Sequence, residues 1–156
     1  SRTRGNLLMA ISNKFGYILL NTSNKSELAT GYGTLYGDMC GGLAPIGDLL
    51  KGQVYKLAEH YNRQHEIIPS QIIKRAPTAE LRENQKDQDS LPPYDKLDKM
   101  VEELIVERKV PKTMEEKEIF AKIKRAEFKR WQGAPILRVS EHAFGSGRRY
   151  PITWKA

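Results

Sequence analysis

Cysteine is nearly absent from this chain of 156 residues: Cys40 stands alone. That excludes a disulfide framework and most Cys-based metal sites, and a reducing, cytoplasmic compartment is expected. Long apolar runs are missing as well. No stretch approaches the roughly 18–20 residues of a spanning helix, so no membrane association is expected. The opening Ser1-Arg2-Thr3-Arg4-Gly5 offers neither an initiator Met nor the apolar segment of a signal peptide, and it reads as the middle of a longer chain. Histidine is scarce, at 3 residues. Glu59-His60 and His65-Glu66 have a metal-like look but lack a third ligand, and no Ser-His-Asp arrangement has useful spacing. Apolar residues are few, at 39%, and the length suits one domain or a large part of one, enough for a core but not for two full enzymatic domains.

What is present is charge. Lys and Arg number 26 against 19 Asp and Glu, a net charge of +7, with a pI near 9.5. The basic residues gather towards the end, from Lys122 through Lys129, Arg130, Arg148 and Arg149 to Lys155, whereas acidic residues crowd 80–98 and 102–118. Such runs are commonly solvated helix faces. A basic balance otherwise points to nucleic acid, an anionic surface or phosphorylated small molecules. Nucleic-acid binding would show a steep salt dependence. It leaves unexplained the polar residues that gather behind one apolar strand, so nucleic acid is not the expected partner.

Leu7, Leu8 and Ile11 recur at helical spacing and predict a helix over 4–12. Tyr17-Ile18-Leu19-Leu20-Asn21 is a short apolar run bounded by Gly16 and Thr22-Ser23-Asn24, the pattern of a strand buried on both faces of a parallel sheet. A helix follows, with Asn24 or Ser23 as N-cap and Glu27 placed to complete a capping box, ending near Gly31. The glycines from Gly33 to Gly47 predict a loop, and 48–65 a helix with Leu50, Val54 and Leu57 on one face. Ile67 through Ile73 forms a short segment, and 77–93 reads as polar, turn-rich and mobile. Amphipathic helices are predicted around Leu97–Ile105 and over 112–131. With one strand among helices, the fold class is α/β: the second half of a doubly wound parallel-sheet domain, mostly helical.

Candidate chemistry sits where that strand ends, because ligands of open α/β sheets bind beyond the carboxyl ends of their strands and helix N-termini favour anions. Thr22 can hydrogen-bond a ribose or phosphate. Glu27 can bind Mg²⁺, which takes one or two carboxylates together with phosphate oxygens, and it can equally serve only as a capping residue. Lys51 is a cation in the first turn of a helix, against the dipole, which suggests an anion nearby; a surface lysine is the simpler alternative. Tyr36-Gly37-Asp38-Met39-Cys40-Gly41-Gly42 is either a solvent loop or a backbone close to ligand.

Several segments together carry a specific resemblance: Arg2-Thr3-Arg4, Ser12-Asn13-Lys14-Phe15-Gly16, the run from Thr22-Ser23-Asn24-Lys25-Ser26-Glu27 through Gly31-Tyr32-Gly33 to Tyr36-Gly37-Asp38, Pro77-Thr78-Ala79-Glu80-Leu81, and Arg148-Arg149-Tyr150-Pro151-Ile152-Thr153. Over essentially its whole length the chain resembles the NAD synthetase family, and its ending resembles the long, glutamine-dependent bacterial form. The resemblance implies an N-type ATP pyrophosphatase fold, related to the adenine nucleotide alpha hydrolases. It implies a ligase that adenylates the nicotinate carboxylate of deamido-NAD with ATP, releases pyrophosphate, and lets ammonia drawn from glutamine displace AMP to give NAD. Mg²⁺ is the implied cofactor, small-molecule nucleotides are the implied partners, and a cytoplasmic homodimer or larger homo-oligomer is the implied assembly, with the 4–12 helix as a candidate interface.

By the same resemblance, Thr22, Lys51 and Thr78 match ATP-contacting positions, with Lys51 near the phosphates. Glu27 matches a Mg²⁺ ligand beside the nicotinate end of deamido-NAD, Tyr32 an aromatic stacked on that ring, and Arg2 and Lys129 further dinucleotide contacts. Asp87-Gln88-Asp89 resembles a loop that closes on substrates. Leu35 and Gly42 stand where the short, ammonia-dependent forms carry a lysine and an acidic residue. The family's Ser-Gly-Gly-x-Asp-Ser loop, its Mg²⁺-binding Asp and the catalytic Cys of the amidohydrolase domain do not occur in these residues, and Cys40 does not match that Cys. The chain is therefore read as the C-terminal part of a synthetase domain, expected to be inactive alone. A non-catalytic nucleotide-binding module, or a related ATP pyrophosphatase with another acceptor, is the alternative.

Overall fold

A computed structural model describes residues 1–78, 83, 85–145 and 149–152. Seven α-helices carry the described chain: α1 Arg2–Phe15, α2 Lys25–Thr30, α3 Lys51–Tyr61, α4 Ser70–Lys74, α5 Tyr94–Val101, α6 Met114–Arg125 and α7 Glu127–Arg130. A 3₁₀ turn spans Asp87–Asp89, and a π turn, Glu102–Val106, prolongs α5. No helix of the described residues is long and apolar enough to cross a membrane.

α2 is the hub, packing against α3, α5 and α6. Its start is fixed as the sequence predicts. Asn24 Oδ1 accepts the Glu27 amide at 3.0 Å, and the Glu27 carboxylate accepts the Asn24 amide at 3.3 Å. This reciprocal cap satisfies two amides that lack an intrahelical partner. α6 uses the same device through Thr113 and Glu116. Its acidic first turn and its last turn of Lys122, Lys124 and Arg125 complement the helix dipole. The core forms where Leu28 and Ala29 of α2 meet Leu97 and Val101 of α5, Ile105 of the π turn and Ile119 and Ile123 of α6. The wider π turn brings Leu104 and Ile105 inward together.

α2 ends at Gly31, which is left-handed at φ 69°. A Cβ there would lie 2.6 Å from Ala126 Cβ, so α2 meets the α6–α7 junction through the missing side chain. Gly31→Ala incurs both left-handed strain and overpacking, a loss of about 2–4 kcal/mol. A denaturant midpoint that falls with unchanged slope is the expected reading, and a loss under about 1 kcal/mol contradicts it.

The predicted strand is the main departure. Tyr17, Ile18 and Leu20 are exposed, and the run makes a single parallel bridge, Leu20 to Leu43. A second parallel bridge joins Ala44 to Ile136. A strand buried on both faces needs neighbours on both sides and a cover above and below. Among the described residues this run has one neighbour at one point, so Tyr17, Ile18 and Leu20 face outward. Other boundaries differ less. α1 runs past the predicted 4–12, α3 is shorter than 48–65, and the final predicted helix breaks at Ala126 into α6 and α7. Asp87, expected in a mobile loop, is buried. Ala79-Glu80-Leu81, Arg148, Thr153 and Lys155 lie outside the described residues.

Candidate functional site

The loop after α2 is tied back to the end of the Tyr17–Asn21 run by one side chain. Asn21 is buried. Its amide donates to the Asp38 and Cys40 carbonyls at 2.8 and 3.3 Å, and its Oδ1 accepts the Ser23 amide at 2.9 Å. α1 lies over the same loop through Gly5, where a Cβ would sit 2.8 Å from the Tyr36 carbonyl oxygen. Tyr32, Thr34 and Asp38 thereby come to lie beside α2.

On the other side of α2, the first turn of α3 is capped from outside its own sequence. Ser26 Oγ accepts the Lys51 amide at 3.0 Å, the Asp98 carboxylate accepts the Gly52 amide at 2.7 Å, and Ser26 donates to Asp98 at 2.5 Å. Fixed there, Lys51 places its Nζ 3.0 Å from Glu27 Oε1 and 5.3 Å from the Tyr94 ring centre. The anion that its position at a helix start suggests is, in the first instance, Glu27.

Two cavities open on this framework. The larger, about 380 Å³, is lined by Arg4, Glu27, Tyr32, Thr34, Asp38, Gln85 and Lys129 among others. The smaller, about 250 Å³, is lined by Lys51, Tyr55, Ile72 and Arg75 among others. Glu27, Thr78 and Asp87 belong to both walls, so the two adjoin. Lys129 Nζ donates to the Gly31 and Gly33 carbonyls at 2.8 Å each, which leaves one donor for a ligand. Two tyrosines stand close by. Burial, followed by the charge of Asp87, raises the Tyr32 hydroxyl above its ordinary value. Burial and the hydrogen bond to Asp87 push Tyr94 higher still. Both therefore stay protonated, and Tyr94 donates to Asp87 Oδ2 at 2.6 Å.

Of the residues singled out in the sequence, Glu27, Tyr32, Thr78 and Lys129 meet at the larger cavity, while Lys51 joins Glu27 and Thr78 at the smaller. Thr22 is exposed and lines neither. Arg2 is exposed too; its Nε donates to the Leu35 carbonyl at 3.2 Å. Arg4 lines the larger cavity instead, because positions two apart on a helix point to different faces. Arg4, Asp38, Gln85 and Asp87 are lining residues that the sequence reading did not assign to a site. Arg4, Asp38 and Asp87 stood inside the recognised segments, but nothing in their spacing marks them as facing a cavity. Among the described residues no group of three or more His, Cys, Asp or Glu is placed to hold a metal. A Mg²⁺ bound chiefly through phosphate oxygens needs fewer protein ligands, and Glu27, part-exposed on the wall common to both cavities, has the chemistry for it.

The sequence model of the NAD synthase family matches residues 1–133. The chain belongs to this family. It is 52% identical over 160 residues to the glutamine-dependent NAD(+) synthetase of a Synechocystis strain, an alignment that covers 97% of this chain and 29% of that protein. Among solved structures, NMN synthetase from Francisella tularensis superposes with a TM-score of 0.68 at 27% identity, covering 83% of this chain and 50% of that one. A glutamine-dependent NAD(+) synthetase from Cytophaga hutchinsonii, 24% identical, shares the fold at a TM-score of 0.71 over 97% of this chain and 27% of its own. The chain thus presents a helix-rich part of the NAD synthase α/β fold and spans less than a third of the Synechocystis relative's length.

Proposed function

We propose that this chain supplies part of the centre of an NAD synthetase, a carbon–nitrogen ligase that converts deamido-NAD to NAD with ATP. One observation supports the reading most: two cavities adjoin along a wall made of Glu27, Thr78 and Asp87. A reaction that joins two nucleotides needs two sites whose reacting ends meet. ATP occupies the smaller cavity, with Lys51 and Thr78 against its phosphates and Thr22 reached by its outer parts. Deamido-NAD occupies the larger, with its pyridine ring on Tyr32 and its phosphates near Lys129. Arg2 serves its distal end.

A carboxylate is a poor electrophile. Transfer of AMP to the nicotinate oxygen, with loss of pyrophosphate, creates a leaving group; attack of ammonia nitrogen on the carboxyl carbon then releases AMP. Lys51 holds charge on the phosphates, and Glu27 would hold Mg²⁺, which balances the growing negative charge of the leaving pyrophosphate. We place the chain in the C-terminal part of the synthetase domain of a cytoplasmic homo-oligomer; the Synechocystis resemblance supports glutamine as the source of its nitrogen.

The test is NAD formation by the product of the full reading frame that carries this segment, given deamido-NAD, ATP, Mg²⁺ and either glutamine or ammonia. NAD at an ATP-dependent rate is expected. The 156 residues alone are expected to form none, because the Ser-Gly-Gly-x-Asp-Ser loop that would hold the pyrophosphate is not among them. Amidation of nicotinate mononucleotide in preference to deamido-NAD would contradict the substrate, and would bring the chain closer to its NMN synthetase neighbour.

A further inference from the structure

Asp87 is 3% exposed, and its main chain is tied down: its amide donates to the Pro77 carbonyl at 3.1 Å, and its carbonyl accepts the Ser90 and Leu91 amides at 3.1 and 3.0 Å. Its two carboxylate oxygens are unequal. Oδ2 accepts the Tyr94 hydroxyl at 2.6 Å, whereas Oδ1 is buried and accepts no hydrogen bond of good geometry among the described residues, although the Tyr32 hydroxyl faces the same carboxylate. A buried carboxylate oxygen left without a donor is costly, and its presence calls for an explanation. Asp87 also lies on the wall common to both cavities, beside Glu27 and Thr78. The orphan oxygen therefore stands where ligands of the two cavities come together.

We propose that Asp87 is a binding residue whose Oδ1 accepts a hydrogen bond from an N–H or O–H donor of a substrate at the cavity junction. This rests on the assignment of the two cavities to nucleotides. Two sources offer that chemistry: a ribose hydroxyl of either nucleotide, and the incoming ammonia. Tyr94 acts as the positioning residue, turning the carboxylate so that Oδ2 is satisfied internally and Oδ1 is left for the ligand. Glu27 differs from it: each of its oxygens already has a donor, Lys51 Nζ on Oε1 and the Asn24 amide on Oε2.

The experiment uses the product of the full reading frame and compares wild type with Asp87→Asn, which keeps the shape but places a donor where Oδ1 stood. Michaelis constants for ATP, deamido-NAD and ammonium are measured in turn, along with the Mg²⁺ requirement and the melting temperature. A rise of about ten- to a hundredfold in one substrate's KM is expected. A rise for a nucleotide identifies the ribose as the donor, and a rise for ammonium identifies ammonia; both support the proposal. Unchanged KM values, with or without a lower melting temperature, overturn it and leave Asp87 a purely structural residue. A shift in the Mg²⁺ requirement alone also overturns it. Should Asp87→Asn not fold, Asp87→Glu keeps the charge but moves the oxygens by one methylene, and the same KM rise is expected. A wild-type protein that makes no NAD would defeat the underlying function instead, a separate outcome.

Discussion

Replacing Glu27 by glutamine is expected to lower the rate of NAD formation by about a hundredfold while leaving the melting temperature within a few degrees. The two effects separate because this side chain does two things. Its oxygen accepts the Asn24 amide and completes the α2 cap, and a glutamine oxygen can do the same. Its charge faces Lys51 at 3.0 Å on the wall common to both cavities, and that charge is what glutamine removes. The lost ion pair is part-exposed and costs little stability, so a stability effect should be small. A rate within about threefold of wild type would show that Glu27 is only a cap, the alternative the sequence left open.

The second large effect lies on the far side of α2. Lys25 and Asp48 are both buried, 2.8 Å apart. Lys25 also donates to Ser140 Oγ and the His142 carbonyl, and Asp48 accepts the Val139 and Ser140 amides and the Ser140 hydroxyl. The pair therefore ties the 139–142 segment to the first turn of α2. Asp48→Ala leaves an ammonium buried without its counter-charge, a loss of about 3–5 kcal/mol and roughly 10 °C in melting temperature. Adding Lys25→Met is expected to recover much of it, because the double variant buries no lone charge. A single variant that loses under about 1 kcal/mol would contradict this account.

The same pair sets a pH dependence. Burial alone raises the Asp48 carboxyl, but donors from Lys25, Val139 and Ser140 outweigh it and hold the group below its ordinary 3.8. Its folded value is thus depressed. The stability it contributes is present above that ordinary value and fades as pH falls through the lower folded one. Acid unfolding below about pH 4 should be less steep in Asp48→Asn than in wild type.

How far the sequence reveals this arrangement depends on whether the cause is local. The α2 cap is legible because Asn24 and Glu27 are three residues apart, and the end of the helix is legible because Gly31 follows it. The α6 cap is equally local, Thr113 and Glu116 being three residues apart, and it places the helix start one residue after Thr113, close to the 112 that the apolar spacing predicts. The Tyr17–Asn21 run has strand chemistry, yet a strand is made by its neighbours, and among the described residues only the Leu20–Leu43 bridge is supplied. Lys25–Asp48, Asp98 at the start of α3 and Arg130 under α2 all act across long separations. Arg130 pairs with Glu127 and donates to the Leu28 and Ala29 carbonyls, 102 and 101 positions away. No periodicity encodes such contacts. Glu27 and Lys51 are marked as candidates by their places at helix starts and Tyr32 and Lys129 by the family resemblance, which gives Asp87 only a place in a closing loop; its cavity walls and unsatisfied oxygen are visible in the structure alone.

The central claim is that ATP and deamido-NAD occupy adjoining cavities and react beside Glu27. A crystal structure of the full-length protein with a non-hydrolysable ATP analogue and deamido-NAD tests it most directly. The account predicts triphosphate oxygens within hydrogen-bond reach of Lys51 Nζ, the nicotinate ring against Tyr32, and its carboxylate next to the α-phosphate at the Glu27 wall. A single nucleotide spanning both cavities, or either substrate bound away from Glu27, would contradict it.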